Sequence, residues 1–208
     1  MTQHDTVTVY SDYVCPFCYL GRHALSRYQE TRDEPLRIDW RPFDLRGGQR
    51  GPDGELDRRI ADGKDEAYYE RARQGVRRLQ ERYDVEMTLD VATDVDSLNA
   101  QLVSRYLQAE RPYETWLAFD ESVFEALWVE GRDIGSESVL VDVAEAVGVD
   151  AETARSALSG DAPRRALDEA FEASRRAGVS GVPTFFYDGH QARGAVPPAQ
   201  LRRLVEGT

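Results

Sequence analysis

The only two cysteines of this 208-residue chain, Cys15 and Cys18, are separated by Pro16 and Phe17. A short alternation of apolar and polar residues precedes them, and a helical pattern of apolar positions begins at Phe17. A thiol in the first turn of a helix meets the positive end of the helix dipole and unpaired backbone N–H groups, which favour its thiolate. A second thiol one turn later can close a disulfide with the first. The pair therefore predicts a redox or thiolate site.

Metal chemistry is not indicated by the remaining residues. His4, His23 and His190 are the only histidines, and neither they nor the cysteines have the spacing of a zinc site. We predict no metal and no cofactor other than the redox-active Cys15–Cys18 disulfide itself. A low-molecular-weight thiol stays open as a co-substrate.

Two strand patterns flank the first helix and position the cysteines. Thr6 to Tyr10 alternates with its valines on one face, and Leu36 to Arg41 alternates apolar and charged residues. A strand, a helix and a second strand in this order predict a right-handed crossover and a parallel pair. Cys15 then lies at the carboxyl end of the first strand, where open α/β sheets place their sites.

A helical stretch follows a glycine-rich loop, Arg46 to Gly54, which closes with Pro52-Asp53-Gly54. Apolar residues recur at helical spacing in several segments; their markers include Val76, Leu102, Phe119, Val143 and Phe171. We predict that Trp116, Phe119, Phe124 and Trp128 form core. Ser136, Asp150 and Asp161 are predicted helix caps, and Gly148 and Gly178 are predicted helix stops.

The helical pattern ends before the last thirty residues or so. Phe185 to Tyr187 predicts a strand, Asp188-Gly189 a tight hairpin turn, and Ala192 to Val196 the return strand. Pro197-Pro198 is expected to open a final helix, because proline is well tolerated in a first turn. The chain therefore closes with two strands and a helix.

Charge excludes one class of partner. The formal net charge is −12, and Lys64 is the only lysine, so we expect no nucleic acid partner. The acidity fits either a high-salt cytoplasm or a GC-rich genome. No apolar run is long enough for a membrane helix, and Met1 to Asp5 has no secretory character, so we expect a cytoplasmic protein without a membrane partner.

Several motifs together resemble one family. They are Asp12-x-x-Cys15-Pro16-Phe17-Cys18, residues 130–135 (Glu-Gly-Arg-Asp-Ile-Gly), and residues 178–185 (Gly-Val-Ser-Gly-Val-Pro-Thr-Phe). In this order they resemble the DsbA family of thiol-disulfide oxidoreductases, in its FrnE-like branch. The resemblance implies an α/β thioredoxin-like fold interrupted by an all-helical insertion. It places the thioredoxin-like domain at 1–45 and 175–208 and the insertion at 46–174.

The resemblance also implies roles for single residues. Cys15 corresponds to the exposed nucleophile and Cys18 to the buried resolving thiol. Pro183 corresponds to a cis-proline that faces them, and Val182 before it would present backbone to an extended substrate. We further expect Thr184 and Tyr13 to line the substrate site, with Pro16 and Phe17 in support. Asp12 is either a proton relay for Cys18 or a turn residue.

Two other functions stay open. Glutathione-dependent 2-hydroxychromene-2-carboxylate isomerases and kappa-class glutathione transferases share this architecture, but they typically have serine at the position of Cys15. The second open function is that of a non-catalytic peptide-binding or chaperone module, which would use the cleft beside Pro183. The intact cysteine pair favours an enzyme acting on protein or small-molecule disulfides or dithiols. Because Phe17, and not histidine, lies between the cysteines, we expect a moderate redox poise. The redox partner and oligomeric state, including a homodimer, are left open.

Overall fold

The computed structural model describes residues 5–52, 54–89 and 95–207. Its strands are β1 (Asp5–Ser11), β2 (Leu36–Pro42), β3 (Thr184–Tyr187) and β4 (His190–Arg193). Its helices are α1 (Pro16–Gln29), α2 (Glu66–Tyr83), α3 (Leu98–Glu110), α4 (Tyr113–Trp128), α5 (Glu137–Ala146), α6 (Ala151–Ser159), α7 (Asp161–Arg176) and α8 (Pro198–Glu206). Residues 1–4, which include His4 and most of the polar N-terminus, and Asp53 of the predicted turn lie outside these ranges.

The strands form one sheet in the order β2-β1-β3-β4. β1 pairs in parallel with β2, with Val9 opposite Trp40, so the predicted parallel pair is confirmed. On its other side β1 pairs antiparallel with β3, with Val9 opposite Phe185. Val9, Trp40 and Phe185 are almost fully buried. The beginning and the end of the chain therefore meet in the middle of the sheet.

The hairpin between β3 and β4 corrects one predicted boundary. Asp188 and Gly189 form the turn with φ values of 45° and 78°. Because such a turn leaves no further loop residues, β4 begins at His190 and not at the predicted Ala192. It ends at Arg193 because Gly194, with φ at 82°, leaves the extended conformation, although its N–H still donates to the Pro183 carbonyl at 2.8 Å. The predicted return strand was thus placed two to three residues too late.

The helices between β2 and β3 follow the predicted segments. Trp116, Phe119, Phe124 and Trp128 of α4 are all buried, as predicted. Asp150 caps α6 by accepting the Thr153 N–H at 2.9 Å. Asp161 was predicted as a cap, but Gly160 is the N-cap of α7 and Asp161 is its first residue. There the carboxylate still faces the positive end of the helix dipole.

Helices pack on the sheet and on one another. α1 and α8 contact each other, α7 contacts β2, and α3 contacts both α4 and α7. One apolar core runs through β1, α1, α4 and α5. This mixed α/β arrangement confirms the predicted fold class, whereas the domain boundaries at residues 46 and 174 stay a prediction. Across the described ranges, every helix is too short or too polar to cross a membrane.

Candidate active site

Cys15 is the N-cap of α1, and Pro16 is the first helical residue. Proline fits this position because the N–H that it lacks would have no partner within the helix. The Cys15 side chain makes no capping hydrogen bond, and its carbonyl accepts the Cys18 and Tyr19 N–H groups at 3.0 and 3.3 Å. The backbone of Cys15 thus starts the helix while its sulfur takes no part in capping.

The Cys15 thiol faces the loop that precedes β3. Its Sγ donates to the Val182 carbonyl at 3.6 Å, and the Val182–Pro183 peptide bond is cis. The structure thereby brings Cys15, Val182 and Pro183 together across 167 residues of sequence. We expected Cys15 to be exposed, but only 4% of it is accessible because its sulfur is turned toward this loop.

Helix α1 approaches the Pro183 loop closely at Gly21. A Cβ atom added to Gly21 would lie 3.1 Å from Pro183 Cγ and 3.2 Å from Phe185 Cζ. Both distances are shorter than ordinary carbon contacts. Glycine at this position therefore allows the cysteine helix and the cis-proline loop to pack against each other.

Thr184 does not line an open surface, contrary to our expectation. Its side chain is 2% exposed, and its Oγ1 donates to the Gly181 carbonyl at 2.7 Å. This hydrogen bond closes the turn around Val182 and Pro183. Thr184 therefore supports the loop from beneath, while the half-buried Val182 remains beside Cys15.

Cys18 and Asp12 are neighbours in the interior, each with no accessible surface. Burial, followed by the hydrogen bond to Cys15, raises the pKa of the Cys18 thiol well above its ordinary value, and the charge of Asp12 raises it further. The Asp12 backbone N–H acts in the opposite direction by hydrogen-bonding Cys18. Cys18 is therefore strongly held as a thiol when Asp12 is ionised.

Asp12 is also held by its own hydrogen bonds. Its carboxylate accepts the Val14 N–H at 3.2 Å, the Leu45 N–H at 2.9 Å and the Ser97 hydroxyl. Burial raises the pKa of Asp12 to about 6, although the hydrogen bonds from Ser97, Leu45 and Val14 oppose the shift. Asp12 consequently shapes the turn and is also a titratable group beside Cys18.

Tyr13 was predicted to line the substrate site, but it lies in the core with no accessible surface. Its hydroxyl donates to Asp120 Oδ1 at 2.8 Å and lies 2.7 Å from Ser104 Oγ. Its carbonyl accepts the Trp128 indole N–H at 2.8 Å. Tyr13 is buried because helices α3 and α4 cover it and satisfy its polar atoms.

These contacts define a buried polar cluster, Tyr13, Arg22, Ser104 and Asp120, under the cysteine turn. Arg22 Nη2 lies 2.8 Å from Asp120 Oδ2, and Asp120 is 1% exposed. Burial raises the pKa of Asp120, although Arg22 and Tyr13 oppose the shift. Arg22, Ser104 and Asp120 were not predicted as site residues from the sequence. A signal for Asp120 was available, because it occupies the apolar face of α4, four residues after Trp116.

Phe17, between the cysteines, packs against helix α2. A Cβ atom added to Gly75 would lie 3.4 Å from Phe17 Cζ. Farther along α2, the Tyr83 hydroxyl donates to the Ala195 carbonyl at 2.9 Å. Ala195 directly follows Gly194, whose N–H donates to the Pro183 carbonyl. Helix α2 therefore borders the site from the cysteine dipeptide to the cis-proline loop.

No metal centre accompanies these residues within the described ranges, where no group of three or more His, Cys, Asp or Glu side chains could hold an ion. A cavity of about 320 Å³ lies elsewhere, lined by residues that include Asp96, Asn99 and Arg164, and neither cysteine lines it. The groups next to the two thiols are the Asp12 carboxyl group and the Val182 carbonyl.

The sheet order, the cysteine pair at the start of α1 and the adjacent cis-proline define a thioredoxin-like protein. A family model described as DSBA-like thioredoxin domain matches residues 6–206. The chain belongs to this family. It is 30% identical over 189 residues to the uncharacterized protein YwbO of Bacillus subtilis (strain 168), covering 89% of this chain and 86% of that protein.

Another relative is a named isomerase. The chain is 26% identical over 188 residues to the 2-hydroxychromene-2-carboxylate isomerase of Pseudomonas sp. (strain C18), covering 86% of this chain and 80% of the relative. Among solved structures, a protein described as probable DsbA oxidoreductase SCO1869 from Streptomyces coelicolor superposes with a TM-score of 0.77 at 18% identity, over 98% of this chain and 89% of the other. The cytosolic disulfide reductase DsbM from Pseudomonas aeruginosa, solved with GSH, superposes with a TM-score of 0.62 at 20% identity, over 96% of this chain and 92% of the other. These structures share the fold.

Proposed function

We propose that this protein is a thiol-disulfide oxidoreductase in which Cys15 is the nucleophile and Cys18 the resolving thiol. The observation that carries the proposal is the position of Cys15, at the start of α1 with its Sγ 3.6 Å from the Val182 carbonyl. The backbone at Val182 supports binding of an extended substrate next to the sulfur. Membership of the DsbA-like family is consistent with this activity.

The reaction proceeds in two exchanges. The Cys15 thiolate attacks one sulfur of a substrate disulfide, which forms a mixed disulfide and releases the other sulfur as a thiolate. The Cys18 thiolate then attacks Cys15 Sγ, forms the Cys15–Cys18 disulfide and releases the second substrate thiolate. The substrate disulfide gains two electrons and the enzyme dithiol loses them. Oxidation of a substrate dithiol follows the same steps in reverse.

Asp12 acts as the proton acceptor for Cys18 in the second exchange. Cys18 must lose its proton to attack, and burial raises the pKa of this thiol. Asp12, with a pKa of about 6, is mostly ionised at neutral pH and lies beside Cys18. A carboxylate in this state can accept the proton, so the same group serves as the base in one direction and as the acid in the other.

The environment of the pair favours a moderate redox poise. Cys15 lies at the N-terminal end of helix α1, and such a helix end contributes about 0.3–1 kcal/mol to an adjacent negative charge. Phe17 adds no charge between the cysteines because its side chain is not ionisable, and its ring packs against Gly75. Like the DsbM neighbour described as cytosolic, the protein is proposed to act in the cytoplasm, with glutathione as one co-substrate.

One observation favours a second function, which is glutathione-dependent isomerisation. The 26% identity to a 2-hydroxychromene-2-carboxylate isomerase extends over most of the chain. An isomerase needs only to stabilise the thiolate of bound glutathione, and a resolving cysteine has no role in that reaction. The neighbouring Cys15 and Cys18 therefore support the oxidoreductase as the first choice.

Replacement of the resolving thiol distinguishes the two functions. In Cys18→Ser, we expect Cys15 to remain joined to substrate, so that proteins or small thiols appear as reducible adducts on Cys15. Mass spectrometry after incubation with cell extract identifies them. The variant with both cysteines replaced by serine is the control and should carry no adduct.

The opposite outcome would favour the isomerase. If glutathione is the sole adduct, and 2-hydroxychromene-2-carboxylate is isomerised equally well by the native protein and Cys18→Ser, dithiol exchange is not the main activity.

Steady-state reduction of insulin or of a model peptide disulfide should fall by at least about 1,000-fold in either single cysteine variant, the scale seen when an active-site nucleophile is removed.

A further inference from the structure

Helix α2, which borders the candidate active site, distributes its charges unequally between two faces. Glu66 and Glu70 both form ion pairs with Arg73, at 2.5 and 3.1 Å. These three residues are spaced by four and three positions, so they lie along one side of the helix. On that side two carboxylates pair with one guanidinium, so the arginine charge is neutralised, as is common on a surface helix.

A second row on α2 has no such neutralisation. Arg71, Gly75, Arg78 and Arg82 are spaced by four, three and four positions, so they share another side of the helix. We call Arg71, Arg78 and Arg82 the arginine stripe. All three are exposed, and within the described ranges none of them forms an ion pair. Glu81 follows Arg78 by three positions and likewise makes no ion pair in that part of the chain.

The arginine stripe borders the cysteine dipeptide. The position of a Cβ atom on Gly75 would be 3.4 Å from Phe17 Cζ and 3.9 Å from Arg78 Nη2. The Arg78 guanidinium and the Phe17 ring therefore lie against the same point of the helix. Because Phe17 is between Cys15 and Cys18, this cationic group is close to where the outgoing or incoming half of a disulfide must lie.

We infer that the arginine stripe selects disulfides whose groups next to the sulfur carry carboxylates. The inference rests on the proposed function. Cys15 attacks as an anion in a chain with a net charge of −12, so an anionic disulfide is repelled unless local positive charge offsets the repulsion. Arg78 supplies that charge beside the dipeptide, with Arg71 two turns earlier on the same side of α2. Guanidinium groups bind carboxylates well.

The test compares two small aromatic disulfides that differ in charge. They are 5,5′-dithiobis(2-nitrobenzoate), which carries a carboxylate on each ring, and 4,4′-dithiodipyridine, which is uncharged at neutral pH. Each reacts once with the Cys15 thiolate of Cys18→Ser, forms a mixed disulfide and releases one chromogenic thiol. The ratio of the two rate constants removes changes in Cys15 reactivity, because both reactions use the same thiolate.

We expect this ratio to fall when the arginines are neutralised. Exposed charge pairs contribute modestly, so Arg78→Gln should lower the ratio by about 1.5- to 5-fold, and the double replacement of Arg71 and Arg78 by about 2- to 20-fold. Arg78→Lys should retain most of the native ratio of rate constants because the positive charge is kept. The difference in ratio between the native stripe and Arg78→Gln should shrink as salt increases from about 0.01 to 1 M, because salt screens the contribution of the arginine.

Arg165→Gln on helix α7 is the matched control, since it removes the same charge from a helix that packs against β2 and α3. It should leave the ratio unchanged. Equal ratios in the native stripe and the double variant would overturn the inference while leaving the proposed function intact. If neither reagent modifies Cys15, both the proposed function and the inference on the arginine stripe are wrong. Thermal unfolding of each variant excludes a loss of structure as the cause.

Discussion

The cysteine turn is bordered by charged residues in two opposite settings. The buried polar cluster lies beneath it, where Arg22 and Asp120 pair in the core with 10% and 1% of their side chains exposed. The arginine stripe lies beside it on the exposed surface of α2. Charges in the interior are weakly screened, so they hold the turn in place, whereas exposed charges are screened by water and salt. The comparison separates the positioning of the thiols from the choice of substrate.

Breaking the buried pair should have the largest effect on stability. Arg22→Met leaves Asp120 charged and buried without its cation, so we expect a loss of about 3–5 kcal/mol in the free energy of unfolding. For a chain of this length the melting temperature should fall by about 10 °C. Thermal unfolding followed by circular dichroism measures this change.

Arg73→Met provides the matched control for that prediction. Arg73 pairs with Glu66 and Glu70 on the surface of α2, and its side chain is 42% exposed. We expect its replacement to change stability by no more than about 1 kcal/mol. Equal losses in the two variants would contradict the distinction between interior and surface charge.

The second prediction concerns Asp12 and the pH dependence of stability. Its pKa rises from 3.8 to about 6 on folding, so the folded protein binds the proton more tightly and becomes less stable as pH increases through this window. At pH 7 the ionised, buried group should cost about 3 kcal/mol, a penalty absent below pH 3.8. Asp12→Asn removes this titration.

Urea unfolding at a series of pH values measures the effect. Asparagine alters the hydrogen bonds from Val14 and Leu45, which shifts the stability at every pH. The difference between Asp12→Asn and the native protein should nevertheless change by about 2.4 kcal/mol in favour of the variant between pH 4 and pH 7. A difference that stays constant over this range would disprove the assigned titration. Release of substrate from Cys15 should also slow, because Cys18 loses its proton acceptor.

The smallest predicted effects come from two glycines inside helices. Gly75→Ala should stabilise the protein by up to about 1 kcal/mol, because alanine favours the helix and its Cβ would meet Phe17 at an ordinary distance of 3.4 Å. Gly21→Ala gains the same helix preference but forces Pro183 and Phe185 away, at a cost of about 1–3 kcal/mol. Chemical unfolding of both variants tests whether their effects have opposite signs. Stabilisation by both would show that the Pro183 loop is displaced easily, and destabilisation by both would contradict the prediction for Gly75.

Much of the site could be predicted where the signal was local. The alternation before Cys15 and the helical spacing after it predicted β1 and α1, and Pro16 marked the start of the helix. The β4 boundary was wrong although the Asp188-Gly189 turn was predicted, because His190 and Gln191 are polar and exposed and carry no apolar signal for a strand. Tyr13 and Thr184 were misassigned because their neighbours in sequence do not show that α3, α4 and the Gly181 turn cover them.

The residues themselves determined that two thiols occupy the first turn of a helix, since this depends on spacing within one segment. Only the tertiary structure decided what surrounds them. It brought Val182 to Cys15, Ser97 to Asp12, and Asp120 to Tyr13, contacts that span 85 to 167 residues. Such contacts depend on how helices pack against a sheet, where burial of apolar faces outweighs local preference. The same packing placed Gly75 against Phe17 and so brought the arginine stripe beside the thiols.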